Sequence, residues 1–376
     1  MFDLVIKSGK VIDPSQNIHE KMDIGITQGK IASLRENIPA EEAREVREVA
    51  GKIVVPGLVD LHTHVYWGGT SLGVGAEELG KRSGVTTFVD AGSSGAGNFS
   101  GFQKHIIKPS GVQILAFLNI SYPGIFCFSQ DLMVGELLDL NLASVEEAVK
   151  TGQAYPQSIV GIKVRASMPT SGTHGMTSIH LARQAAKELG KPIMVHIGVP
   201  PPTVEEVLPL LREGDILTHS FRGIPNQVLQ NNGQIIPELR EARQRGVVID
   251  IGHGIGSFSF KVARSLLEQG FSPDTVSSDI HILGLQGPTY DLPTTMSKFL
   301  DLGMDIEEII RATTWTPAQV IGREKEMGNL KQGRRADIAI LEMQKGKFKF
   351  YDCLGEEMIG EKRISCVLAI KDGRIL

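Results

Sequence analysis

Eight short β-branched runs recur between residues 57 and 282: GLVDLHTHV, TTFVDAG, VQILAFLNI, IVGIKVRAS, PIMVHIG, DILTHSF, VVIDIGHG and TVSSDIHI. Segments with helical spacing separate them, among them MTSIHLARQAAKELG and TVEEVLPLLREG. Such alternation is the signature of parallel strands joined by helical crossovers, in a doubly wound sheet or a closed barrel. Eight units over roughly 270 residues fit the usual size of a (β/α)8 barrel. The sequence therefore predicts an α/β TIM barrel over residues 56–322.

The two ends of the chain have a different texture. DLVIKSGKVID, KMDIGITQGKIASL and REVAGKIVVPG alternate apolar and polar residues around Gly-Lys turns, the pattern of antiparallel hairpins. The same pattern returns in ADIAILEM, KFKFYDCLG and ISCVLAIKDGRIL. Residues 1–55 and 323–376 are expected to form one small β-sandwich domain split across the chain.

Composition narrows the function classes. A formal net charge of −4, from 39 basic and 43 acidic residues without long runs, argues against a nucleic-acid surface and for a small-molecule substrate. Three widely spaced cysteines form neither a disulfide framework nor a thiolate zinc site. The N-terminus lacks the basic-then-apolar order of a signal peptide, and no window approaches the 18 or more apolar residues of a membrane span. The expectation is a cytoplasmic protein without membrane contact; homo-oligomerisation is compatible with the composition.

The chemistry sits at the strand ends. His62 and His64 close the first run, Lys163 lies in the fourth, His196 in the fifth, His219 in the sixth and Asp279 in the eighth. In a TIM barrel these ends converge on one mouth, so residues more than 200 positions apart meet there. His62 and His64, two apart on a strand, point to the same face and can grip one ion together. Imidazoles suit zinc, and a carboxylate completes the shell. Lysine is the odd member, because an ammonium repels a cation. Burial favours the neutral amine, which takes up carbon dioxide as a carbamate, an anionic two-oxygen bridge. Two divalent ions bridged in this way would acidify a shared water toward a pKa of ~7. The Gly-rich segments DAGSSGAGNFSG and GHGIGSFSF match neither a P-loop nor a dinucleotide fingerprint and read as loops around the pocket.

PGLVDLHTHV, GIKVR, IMVHIG, ILTHSF, SSDIH and GNLKQGRRADIAILE together resemble the amidohydrolase superfamily, in its dihydroorotase-like and deacetylase-like branch. GVPPPTVEEVLPLLREGDILTHSFRG and SSDIHILGLQGPTYDLPTTMSKFLDLGM are similar to bacterial deacetylases of acetylated α-hydroxy carboxylates. The resemblance implies one ion on His62, His64 and Asp279, a second on His196 and His219, and a carboxylated Lys163 between them. It implies Asp279 as general base and acid, and Arg165 as oxyanion stabiliser or carboxylate anchor, a place a structural salt bridge would also explain. His253, His281 and Tyr66 are further substrate-binding candidates, the two histidines equally readable as loop residues. Tyr66 stands where the dihydroorotase pattern DxHxR has its arginine. The implied activity is zinc-dependent hydrolysis of an acyl amide or ester, with an acetyl group on a small carboxylate-bearing substrate. Cyclic-amide hydrolysis is the alternative. A deaminase fits less well, for want of a bridging lysine in that class, as does a scaffold barrel, which would lack ligands.

Overall fold

The computed structural model describes residues 1–376. Strand β1 (Phe2–Asp13) pairs antiparallel with β2 (Ile18–Thr27), which turns into β3 (Lys30–Arg35) through Gln28 and Gly29, both at positive φ. Glycine adopts that conformation without steric cost, so the Gln-Gly-Lys turn is where the sequence places it. The Ser8-Gly9-Lys10 segment is not a turn. It is a bulge inside β1: Ser8 sits at φ 64°, the register breaks between Ile6 and Gly9, and a Cβ on Gly9 would lie 2.4 Å from Val54. The strands β4 (Ala43–Glu48) and β5 (Ile53–Pro56) run parallel to β1, not antiparallel.

The barrel follows. β6 (Leu58–Thr63), β7 (Val85–Gly95) and β8 (Gln113–Asn119) lead into a small hairpin of β9 (Cys127–Phe128) and β10 (Met133–Val134). β11 (Ile159–Ala166), β12 (Ile193–Ile197), β13 (Ile216–Thr218) and β14 (Val248–Ile249) complete a parallel sheet in the order β14-β13-β12-β11-β8-β7-β6. The eighth run is not a regular strand. It bridges Asp250 with Thr275 on one side and Thr63 with Ile280 on the other, so it closes the ring. Its backbone trades ladder bonds for side-chain bonds: Asp60 accepts from the Ser278 amide at 2.9 Å and from its hydroxyl, and Asp279 sits at φ 49°.

The last strands, β15 (Ile338–Tyr351), β16 (Glu357–Lys371) and β17 (Arg374–Ile375), return to the first ones. β15 pairs antiparallel with β5, and all eight terminal strands form one continuous sheet. Register shifts in β1 and β15 break the pairing, and the sheet encloses a core of its own that includes Ile6, Ile24, Val54, Ile338 and Ile370. The expected terminal β domain is thus hydrogen-bonded as one continuous sheet closed over a core of its own. The main core is continuous between sheet and barrel, running from Ile12 and Val55 through Val85, Ile162 and Phe299 to Phe350 and Ile364. No helix is long and apolar enough to cross a membrane.

Candidate metal centre

His62 and His64 lie buried at the end of β6, and their Nε2 atoms are 3.3 and 3.1 Å from Asp279 Oδ1. These three side chains offer donor atoms that all lie within 4.8 Å of one another. The outer faces of the rings are spoken for. Thr218 Oγ1 donates to Asp250 Oδ2 at 2.7 Å, so it accepts from His62 Nδ1 at 2.8 Å and leaves the His62 Nε2 lone pair aimed at the centre. His64 Nδ1 meets Ser93 Oγ at 2.8 Å. His219 Nδ1 donates to the Gly252 carbonyl at 2.6 Å, while its Nε2 is buried without a partner. The ring of His196 stands edge-on to that of His219 at 4.3 Å between centroids, and His219 is 5.0 Å from His62.

Burial dominates the electrostatics. It drives His62, His196 and His219 well below the ordinary histidine range, with the Lys163 charge adding to the effect, and brings His64 to about 3. All four imidazoles are neutral, as metal ligands must be. Burial raises the Asp279 carboxyl to about 6 and lowers the Lys163 amine to about 7. Lys163 is fully buried, with Nζ 3.3 Å from His62 Nε2 and 3.3 Å from Met194 Sδ. Asp279 Oδ1 has no hydrogen-bond donor although two imidazole nitrogens lie against it. A carboxylate oxygen facing imidazole lone pairs, beside an unpartnered His219 Nε2, is a donor set that lacks a cation, so the residues fit a divalent ion.

A cavity of about 330 Å³ opens over this cluster, and His62, His64, Lys163, Arg165, His196, Asp279 and His281 all reach its wall. Phe128 and Met133 from the β9–β10 hairpin, with Leu72 and Ile255, make the rest largely apolar. Arg165 faces the cavity and is also salt-bridged, its Nη1 3.4 Å from Oε2 of the buried Glu136, whose other oxygen is unpartnered. Arg165 is thus at once a wall residue and half of a buried salt bridge. His281 lies on the wall with Nδ1 unpartnered, its pKa held at about 4 by burial.

Two expected wall residues are placed elsewhere. Tyr66 stacks on Phe102 at 4.4 Å and donates its hydroxyl to the Asn98 carbonyl at 3.2 Å, so its polar end is turned away from the cavity. His253 stacks on Phe258 at 4.5 Å and bonds Lys298, behind the wall. Sequence reasoning missed Thr218, Asp250, Ser93 and Glu136. Thr218 and Asp250 left a signal, as polar residues in otherwise apolar strand ends, ILTHSF and VVIDIG. Glu136 left none, because it lies in a loop and its partner is 29 positions away.

A closed α/β barrel with a histidine-rich mouth and a split terminal sheet defines the class, and comparison with known proteins gives it its family. Residues 53–359 match the amidohydrolase family, and the chain belongs to it; it is a hydrolase that acts on amide-type bonds. It is similar to a deacetylase of Brucella anthropi, 38% identical over 87% of this chain and 81% of the relative, and to a deacetylase of Enterococcus faecalis, 34% identical over 100% and 99%. Among solved structures it resembles one described as an adenine deaminase (TM-score 0.92, 34% identity, 100% of both chains). Another, described as a dihydroorotase, has a TM-score of 0.90 at 34% identity, over 100% of this chain and 99% of the other.

Proposed function

We propose that this protein is a two-metal deacetylase, removing an acetyl group from a small carboxylate-bearing amide or ester. The observation that carries the reading is the buried, all-neutral imidazole set closed by Asp279, with unpartnered atoms on His219 and Asp279. The deacetylase relatives, matched over most of both chains, supply the acyl group.

His62, His64 and Asp279 would hold one ion, His196 and His219 a second, with Lys163 as its carbamate between them. Zinc suits this nitrogen and oxygen set. When bound, such ions polarise an acyl carbonyl and acidify a water toward ~7. The remaining work falls to the chain. An amine brought to about 7 is about half unprotonated at neutral pH, which supplies the neutral form that carbamate formation requires: the Nζ–C bond forms to carbon dioxide as one amine proton leaves. The Asp279 carboxylate takes the proton of the attacking water and returns it to the leaving nitrogen or oxygen, and the pKa raised by burial suits a group that must do both. Arg165, its charge balanced by Glu136, presents a fixed guanidinium to the developing oxyanion. The hairpin residues Phe128 and Met133 give the cavity an apolar side against which the acyl group packs.

Cyclic-amide opening is the second reading, favoured by the neighbour described as a dihydroorotase. The missing first-strand arginine weighs against it, since Tyr66 stands in that place and is turned toward Phe102. A hydrolysis screen of acetylated hydroxy acids, N-acetyl amino acids, cyclic ureides and adenine, with zinc and bicarbonate supplied, decides between them. Acetate release is the expected result. Ring opening or ammonia release without acetate would replace the reading.

A further inference from the structure

Lys298 is fully buried on the helix Leu292–Asp301 and makes no ion pair. Its Nζ meets three acceptors: His253 Nε2 at 2.7 Å, the Pro288 carbonyl at 2.8 Å and the Tyr351 carbonyl at 2.8 Å. Three acceptors match the three protons of an ammonium and favour the charged form against a burial that lowers its pKa to about 7. Because His253 Nε2 accepts, its Nδ1 carries the proton and donates to the Gly254 carbonyl at 2.9 Å. That carbonyl also accepts from Thr289 Oγ1 at 2.5 Å and Cys353 Sγ at 3.5 Å. One lysine therefore ties the loop after β14 to the loop before its own helix and to the end of β15.

The loop so held forms the back of the metal centre. The Gly252 carbonyl fixes the tautomer of His219. Gly252 and Gly254 lie at φ 50° and 54°; a Cβ on Gly252 would fall 2.3 Å from Thr218 Oγ1 and 2.8 Å from His219 Nδ1, and one on Gly254 would fall 2.3 Å from Asp279 Oδ2. With so little space, a shift of the loop moves His219 and Asp279 with it. We propose that Lys298 is a positioning residue of the active site, acting through His253 and the Gly252–Gly254 loop to orient His219 and Asp279. The inference rests on the metal-ligand reading of those two residues. It gives the terminal sheet a part in catalysis, since the Tyr351 carbonyl is one of the three anchors and Asp352 next to it accepts from the Phe260 amide at 3.0 Å.

The test compares Lys298→Met with the wild-type full chain by zinc titration against a competing chelator, and by amide hydrogen exchange of the metal-free proteins. Zinc affinity should fall several-fold, up to the ~10-fold at the low end of the range for losing a group bonded directly to a metal ligand, since Lys298 acts one step further out. Exchange should quicken in segments 247–259 and 215–222 and stay at wild-type rates elsewhere. Wild-type zinc affinity and exchange in the variant overturn the proposal, as does an increase spread evenly over the barrel. Where Lys298→Met does not fold, His253→Phe carries the same comparison, because it keeps the stack on Phe258 and removes both ring hydrogen bonds. If the wild-type chain takes up no zinc, the metal reading fails, and the exchange pattern still decides the role of Lys298.

Discussion

Lys163 shows how a buried ionisable side chain works against stability. Its amine is fully buried, and desolvation lowers its pKa to about 7 from an unfolded value near ~10.4. The sign follows from proton counts. Below about pH 7 the amine is charged in both states, and the whole desolvation penalty weighs on the fold. Between about 7 and ~10.4 the unfolded chain binds more protons, so this contribution to stability rises with pH until the penalty has gone. Lys163→Met should therefore raise the melting temperature of the metal-free protein at pH 6, with a benefit that shrinks toward pH 10, while it lowers metal uptake and turnover. Thermal unfolding across that range, beside elemental analysis, checks it; a variant less stable than wild type at pH 6 would refute the account. The anomaly of a lysine among ligand types was legible in the sequence. The hydroxyl and carboxylate behind His62 were not assigned, since Thr218 and Asp250 meet that ring only after the barrel has closed across 156 and 188 positions.

At the scale of elements, the eight β-branched runs were readable because parallel strands buried on both faces are apolar throughout. The exceptions mark where chemistry or bending overrides regularity. The eighth run has the composition of a strand, yet Ser278 and Asp279 leave the ladder to meet Asp60 and the histidines. The Ser8-Gly9 bulge has the letters of a turn, and only its close packing on Val54 distinguishes the two. β7 makes a similar departure at Gly92, at φ 88°, where the carbonyl accepts from Asn119 Nδ2 at 3.0 Å. A Cβ there would lie 2.6 Å from Lys163 Cγ and 2.8 Å from its Cβ, atoms too near the backbone to swing aside. Gly92→Ala should cost at least ~1–3 kcal/mol through its positive φ alone and displace Lys163 from the centre. Denaturant midpoints of the metal-free proteins and their zinc content read the two effects separately. Wild-type values for both would mean that the strand end can yield at that point.

The whole molecule ties its two β systems together more closely than two separate domains would be. The main core passes from the terminal strands into the barrel without a break, from Val55 and Leu341 to Val85 and Phe299. Arg264 meets Glu356 at 2.6 Å, and Asp352 reaches the start of the barrel helix Phe260–Glu268. Neither the sheet nor the barrel can open without exposing apolar surface that belongs to both. Heating the metal-free chain should therefore give one calorimetric transition. A metal that binds only the folded chain raises it as a unit, by about 2.7 kcal/mol at a hundred times its Kd. The candidate ligands span His62 to Asp279, so an ion held by them joins the first barrel strand to the last run. Chelation should accordingly lower the single peak and zinc should restore it, both without a shoulder. Two peaks, of which zinc moves only the hotter or the cooler, would mean that the terminal sheet melts on its own and that the shared core contributes little to cooperativity.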